Sequence, residues 1–286
     1  MSIARGLSVV RFKNPYTDEL PSLLTQLYGG GQQGAMFIPK PIVLGQQTLF
    51  QDAAGTLPVT ADGDPVGLML DVSGNGNHAS QSTSAARPLY RTDGVLHWLE
   101  GDGVDDCLVL LGTRSTLAFL ADGTGATLQL MFECDWPNGA LQALAGTAHA
   151  SGNSDGLDMF IDNRSGAGFN RYRHVNPSDG LSNAEALDNA SPSSTPTIFE
   201  YRQDSTGQRW STVYSSGGLD ESAGLKAEST DNDMRLFGFP SSESFTSGTL
   251  VGAATMLFYG GIMTSQRIAD LGHNRSYLAQ LAGVTL

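Results

Sequence analysis

Two hydrophobic periods divide this chain. Over most of its length apolar and polar residues alternate in short runs, of which LDMFID, IFEYRQD and RWSTVYS are the clearest. Successive residues of a strand face opposite ways, so a period of two marks strands with one face toward a core. On that signal strands are predicted at 95–99, 107–111, 127–134, 141–147, 157–162, 168–174, 197–203, 210–215, 234–239 and 252–260. Between them stand DGTG, WPNG, SGNSDG, RSGAG, PSDG, ASPSSTP, DSTGQ and SSGG, built from the residues that turn a backbone. IFEYRQDSTGQRWSTVY, two alternating runs about Asp204-Ser205-Thr206-Gly207, predicts a hairpin.

The helical period occurs near each end. After a short strand at 7–12, a turn at Asn14-Pro15 and a helix opening near Thr17-Asp18, Leu20, Leu23, Leu24 and Leu27 form one apolar stripe. Gly29-Gly30-Gly31 ends that helix, and FIPKPIVLG follows as an extended, proline-bounded segment. A helix this short is marginal alone. Its stripe must be buried, either against the main domain or against another subunit or partner, and it is the candidate partner-anchoring surface. The second helix runs over 265–282, capped by Thr264 or Ser265, with Ile268, Leu271, Tyr277, Leu278 and Leu281 mostly on one side.

Strands in this number, with one dominant helix at the end, predict an all-β fold: a two-sheet antiparallel jelly-roll sandwich with a C-terminal helix and a short N-terminal extension. The division is an anchoring or oligomerisation segment over 1–44 and a jelly-roll domain over 45–286. Composition agrees, since 35 glycines in 286 residues suit many turns. The net charge of −13, with 16 basic residues scattered against 29 acidic ones, argues against nucleic acid or an anionic membrane as partner. The first twenty residues have no apolar run of signal-peptide kind, so no secretory signal is expected. Cys107 and Cys134 lie in separate strand-like runs; they could pair if those strands are neighbours, or stand as two buried free thiols.

LFQDAAGTLPVTADGDPVGLMLDVSGNGNHASQ, then ARPLYRTDGVLHWLEGDGVDDCLVL, and the closing ATMLFYGGIM with RIADLGHNRSYLAQLAGV, together resemble a known family. It is the laminin-G-like, concanavalin A-like jelly rolls of bacteriophage structural proteins, and the resemblance covers about residues 49–284. SGNGNHA and DGVDD are its strongest motifs; residues 1–44 lie outside it. The resemblance implies a non-enzymatic virion protein of a tail, baseplate, collar or head appendage. It would be assembled in the host cytoplasm, anchored through its N-terminal segment, and partnered by other virion proteins and copies of itself. The alternative is a receptor- or carbohydrate-binding module that attaches to a host-surface glycan.

Three constellations could carry chemistry. Asp71, Asn75, Asn77, Asp102, Asp105 and Asp106 offer hard oxygen ligands, and members of the wider superfamily bind calcium near such loops. The competing reading is that they hydrogen-bond their own backbone in turns; the glutamate that would close an EF-hand loop is replaced by Ser82. Glu133-Cys134-Asp135 resembles the E-x-D-x-x-E strand of β-glucanases, but Asn138 stands where the third carboxylate belongs, so hydrolysis lacks one of its two acids. Phe169, Arg171, Tyr172, Arg173 and His174 form the one locally basic, aromatic stretch. It is either a solvated strand or a ligand face, with Arg171 and Arg173 on one side and Tyr172 and His174 on the other. No other cofactor is implied. Sequons occur at Asn163, Asn189 and Asn274.

Overall fold

A computed structural model describes residues 19–112, 125–134, 141–147, 158–162, 170–175, 184–188, 197–203, 208–213, 218–223, 233–238, 250–252, 256–260 and 265–281. In chain order helix α1 (Leu20–Tyr28) precedes β1 (Gly34–Phe37), the small hairpin β2 (Ile42–Val43) and β3 (Gln46–Gln47), then β4 (Leu49–Phe50), β5 (Leu68–Met69) and β6 (Ala79–Ser80). There follow β7 (Leu89–Thr92), β8 (His97–Gly101), β9 (Leu108–Leu110), β10 (Ala126–Cys134), β11 (Leu141–Gly146), β12 (Asp158–Asp162) and β13 (Asn170–Val175). The chain continues through β14 (Ala184–Asp188), β15 (Thr197–Gln203), β16 (Gln208–Val213), β17 (Gly218–Ala223) and β18 (Met234–Leu236). It closes with β19 (Leu250–Gly252), β20 (Met256–Gly260) and helix α2 (Ser265–Leu281).

The strands form two nine-stranded antiparallel sheets. In sheet one β17, β16, β15 and β10 are successive neighbours. Beyond β10 the sheet forks: residues 126–130 carry β20 and then β1, while Glu133 and Cys134 carry β19, β8 and β7. Sheet two runs β14-β13-β12-β11-β18-β9-β6-β5-β4. The inner rows of both sheets meet in one core, with Phe37, Leu99, Leu128 and Tyr201 from sheet one against Leu49, Met69, Leu110, Leu144 and Leu236 from sheet two. The two-sheet sandwich predicted from the period of two is therefore what forms.

A second core lies on the other side of sheet one. Along β10 Ala126, Leu128 and Leu130 face the sandwich, yet Thr127, Gln129 and Met131 on the opposite row are equally buried. Both helices cover that row: Leu20, Leu23, Leu27 and Tyr28 of α1 and Leu271, Tyr277, Leu278 and Leu281 of α2 pack with Met36, Ile38, Met131 and Ile198. The α1 stripe is thus used within the chain. Leu20, Leu23 and Leu27 are fully buried, and Leu24 is partly buried against the same cluster. Although β1 falls within the expected extension, it pairs along its whole length with β20. Helix α1 ends at Gly29, whose extended conformation only glycine fits, since a Cβ there would meet the Thr25 carbonyl oxygen at 2.3 Å.

Polar residues fix the helix layer in register. The Gln129 amide donates to the Glu200 carboxylate, Arg275 Nη1 donates to the same oxygen at 2.8 Å, and Asn274 Nδ2 donates to Gln129 Oε1 at 2.6 Å. Glu200 is 3% exposed and both Gln129 and Asn274 are fully buried, so the Asn274 sequon is inaccessible for glycosylation. At the free edge of β7, residues 63–66 act as a substitute strand: Gly63 N–H donates to the Tyr90 carbonyl, Tyr90 N–H to Asp64, and Val66 N–H to Pro88, each at 2.8 Å. That segment shields the edge from pairing with other chains.

Candidate functional site

The SGNGNHA loop is a clasp on β1. Asp71 is 7% exposed, and its carboxylate accepts four hydrogen bonds. The donors are Met36 N–H and Ser73 N–H at 2.8 Å each, Ser73 Oγ at 2.8 Å and Asn77 N–H at 3.0 Å. Asn75 Nδ2 and Asn77 Nδ2 both donate to the Gly34 carbonyl, at 3.0 and 2.7 Å. His78 Nδ1 accepts the Asp71 N–H at 3.1 Å. The free edge of β1 is thereby held by side chains of the loop together with the Val72 N–H, which donates to the Met36 carbonyl at 2.8 Å.

Asp102, Asp105 and Asp106 come together separately, with carboxylate oxygens within 4.8 Å of one another, and Asp71 and Asn75 are not part of that group. Asp102 Oδ1 accepts Val104 N–H at 2.8 Å and Asp105 N–H at 3.2 Å, and Asp106 Oδ2 accepts Asp102 N–H at 2.9 Å. The same pattern recurs at Asp52 and Asp93, which accept N–H groups a few residues on, and at Asp64, which accepts those of Thr60 and Ala61 just before it. Three clustered carboxylates could in principle hold a hard cation, but calcium takes six to eight oxygens and Asp102 is already engaged with its own backbone.

Burial, and secondarily the negative charges of Asp102 and Asp105, raise the Asp106 carboxyl to about 6. A carboxyl held more basic in the folded state destabilises the fold when ionised. Stability should therefore rise as pH falls from about 7 toward 4, by roughly 1–2 kcal/mol after allowing for the partly open loop. Asp106→Asn should melt higher than the native chain at pH 8 and equal it at pH 4. A chelator should leave the native melting temperature at pH 8 unchanged. A calcium-dependent rise, lost in Asp106→Asn, would instead make the cluster a cation site.

The basic stretch becomes a face once register is known. Ala145, in the core, pairs with Met159, and Met159 pairs with His174. The pleat therefore puts Tyr172 and His174 on the core-side rows of sheet two, and Arg171 and Arg173 on its outer rows. Arg173 stands between Phe160 of β12 and Glu185 of β14, and Arg171 between Asp162 and Leu187. Directly opposed residues have Cβ atoms about 5 Å apart, so these positions lie on one face of the sheet. Phe160 takes the place expected of Tyr172. It was visible in LDMFID only as one apolar position; which strand lies beside it is not written locally. Phe169 lies outside the described residues. Of the hydrolase candidates, Glu133 is on β10, while Asp135 and Asn138 lie outside the described residues. Cys107 is a buried free thiol, which leaves Cys134 unlinked to it.

No family model matches the chain, and no curated protein matches it in sequence. Solved structures do share its fold. The binding domain of botulinum neurotoxin serotype D matches with a TM-score of 0.52 and 7% identity over 90% of this chain and 53% of that one. The binding domain of Paraclostridial Mosquitocidal Protein 1 matches at 0.51, with 10% identity over 72% of this chain and 49% of that one. A Trypanosoma rangeli sialidase matches at 0.51, with 14% identity over 79% and 32%. The chain spans about half the length of the toxin domains. At these identities the likeness establishes the β-sandwich and nothing finer. None of these three is a phage protein, so the expected virion role gains no support from them.

Proposed function

We propose that this chain is a non-enzymatic glycan-recognising module whose outer face on sheet two takes a carboxylated sugar. The observation that carries the reading is the juxtaposition of Arg171 and Arg173 on one row set with Phe160. Guanidinium groups bind carboxylates in a bidentate fork, and an aromatic ring offers a surface to the C–H side of a pyranose. In a chain with 16 basic and 29 acidic residues, two arginines on adjacent outer-row positions of one strand are groups that a carboxylate can engage directly. Asp162 and Glu185, at the positions paired with Arg171 and Arg173, are of the type that accepts hydrogen bonds from sugar hydroxyls.

The fold likeness supports the same class. One similar structure is a botulinum neurotoxin serotype D ligand-binding domain in complex with N-acetylneuraminic acid, matching at a TM-score of 0.51 and 8% identity. The resemblance to phage jelly rolls bears on where such a module is displayed, not on what its face binds.

Charge reversal is the test. Arg171→Glu with Arg173→Glu should reduce capture by sialylated glycans on an array at least about tenfold, the loss of one charge-assisted contact. Melting temperature is measured in parallel, so that a loss of capture is read only from a variant that remains folded. Undiminished capture would remove this face as the binding site.

A further inference from the structure

We propose that Asn75-Gly76, at the tip of the clasp on β1, is a self-modification site: Asn75 deamidates through attack by the Gly76 nitrogen, and the product loosens the loop's grip on β1. The reaction needs an exposed asparagine followed by a backbone N–H that is neither engaged nor crowded. Asn75 and Gly76 are both exposed. Gly76 has φ +78°, with nothing within 4 Å of where a Cβ would stand. Its N–H makes no hydrogen bond among the described residues, whereas its carbonyl accepts the His78 N–H at 3.0 Å. Asn77, the other asparagine of the clasp, is the internal contrast. The nitrogen that follows it is that of His78, already donated to Gly76, and Asn77 N–H is itself held by Asp71 at 3.0 Å. Of the two, Asn75 is the one set to react.

In the first step the Gly76 nitrogen bonds to Asn75 Cγ and the Cγ–Nδ2 bond breaks. The proton lost by the Gly76 nitrogen leaves with Nδ2 as ammonia. Solvent water then opens the cyclic imide at either carbonyl, giving aspartate or isoaspartate. The consequence follows from what Asn75 holds: its Nδ2 donates to the Gln32 carbonyl at 3.1 Å and to the Gly34 carbonyl at 3.0 Å. Both bonds are lost in the product, which sets an acceptor-only carboxylate against two carbonyl oxygens. Isoaspartate also lengthens the backbone between Ser73 and Asn77. The edge of β1 keeps Asn77 Nδ2 on Gly34, Asp71 on the Met36 N–H and Val72 on the Met36 carbonyl. A strand edge so loosened is open to pairing with another chain. The site involves no residue of the β12–β14 face and does not rest on the glycan reading.

The native full chain is incubated in mildly alkaline buffer beside a synthetic peptide of residues 71–80, and both are read by peptide mass and an isoaspartate assay. The native chain should gain the mass of an amide-to-acid exchange at Asn75, faster as pH rises, while Asn77 stays intact. In the converted chain the Met36 and Val72 amides should exchange about tenfold faster, the equivalent of one lost hydrogen bond, with β11 unchanged. Asn75→Asp should reproduce that exchange pattern without incubation. Asn75→Gln, which keeps an amide, should neither convert on the same timescale nor loosen. The proposal is overturned if Asn75 persists in the native chain while the peptide converts, or if Asn77 converts as fast. It is equally overturned if conversion leaves exchange at Met36 and Val72 unchanged.

Discussion

Replacing Glu200 by alanine should lower the unfolding free energy by about 3–5 kcal/mol, the usual result of breaking a buried ion pair from one side. Glu200 lies at 3% exposure beneath α2, and one of its oxygens accepts from both Gln129 and Arg275. Removing the carboxylate leaves the Gln129 amide, fully buried, with only the Leu271 carbonyl at 3.3 Å. It also leaves Arg275 without its buried counter-ion, although Arg275 is 19% exposed and can turn partly toward water, which favours the lower end of the range. Glu200→Gln keeps an acceptor for Gln129 and loses only the charge, so it should cost about 1–2 kcal/mol. Equilibrium denaturation of both variants, with Arg275→Ala to complete a double-mutant cycle, measures the coupling. Additive effects of Glu200→Ala and Arg275→Ala would mean that the pair does not fasten the helix layer.

The second large effect is expected at Asp71. Its carboxylate accepts four hydrogen bonds: the one from Met36 N–H joins the loop to β1, and those from Ser73 and Asn77 hold the loop in shape. Asp71→Ala orphans the Met36 N–H in a fully buried residue. Since a buried unpaired donor costs about 1–3 kcal/mol and the other bonds add to it, a loss of roughly 3–4 kcal/mol is expected. Asp71→Asn can still accept from Met36 but presents an NH2 to the Asn77 N–H, so it should fall between native and alanine. Amide exchange localises the effect: residues 34–37 should exchange far faster in Asp71→Ala, while β11 and β18 in the sandwich core remain protected. Uniform acceleration would contradict the clasp.

The two predictions show which parts of the molecule were legible in its sequence. Alternation found the long strands of the sandwich: 127–134 was predicted where β10 occupies Ala126–Cys134, and β15 matches its predicted bounds. It could not show that β10 is buried on both faces. Nothing local to Thr127 and Gln129 marks them as buried, because the helices that cover them are distant in sequence. The very short strands β4, β5 and β6 carry no period long enough to detect, and pairing with neighbours defines them. The α1 stripe was plain in Leu20, Leu23, Leu24 and Leu27, but its partner was not, since a stripe states that burial is needed and not against what.

Site residues divided in the same way. Motifs that looked like ligand sets, around Asp71 and Asp102, are organised by their own backbone, as turn chemistry allows. Alternation placed Arg171 and Arg173 on one side of a strand, but not what stands beside them. Phe160 and Arg173 are thirteen positions apart and meet only through the β12–β13 register. Arg91 and Trp98 stand opposite each other only through the pairing of β7 with β8. Local alternation predicts which residues share a face of one strand; the surface itself is assembled by long-range pairing.

The central claim is that the outer face of sheet two recognises a carboxylated sugar, and the most direct measurement is a map of backbone amide shifts of the full chain on adding 3′-sialyllactose. The account predicts saturable shifts centred on Phe160, Arg171, Arg173 and Glu185, absent when lactose is added at the same concentration. Shifts confined to other strands, or the same β12–β14 shifts with lactose, would contradict it.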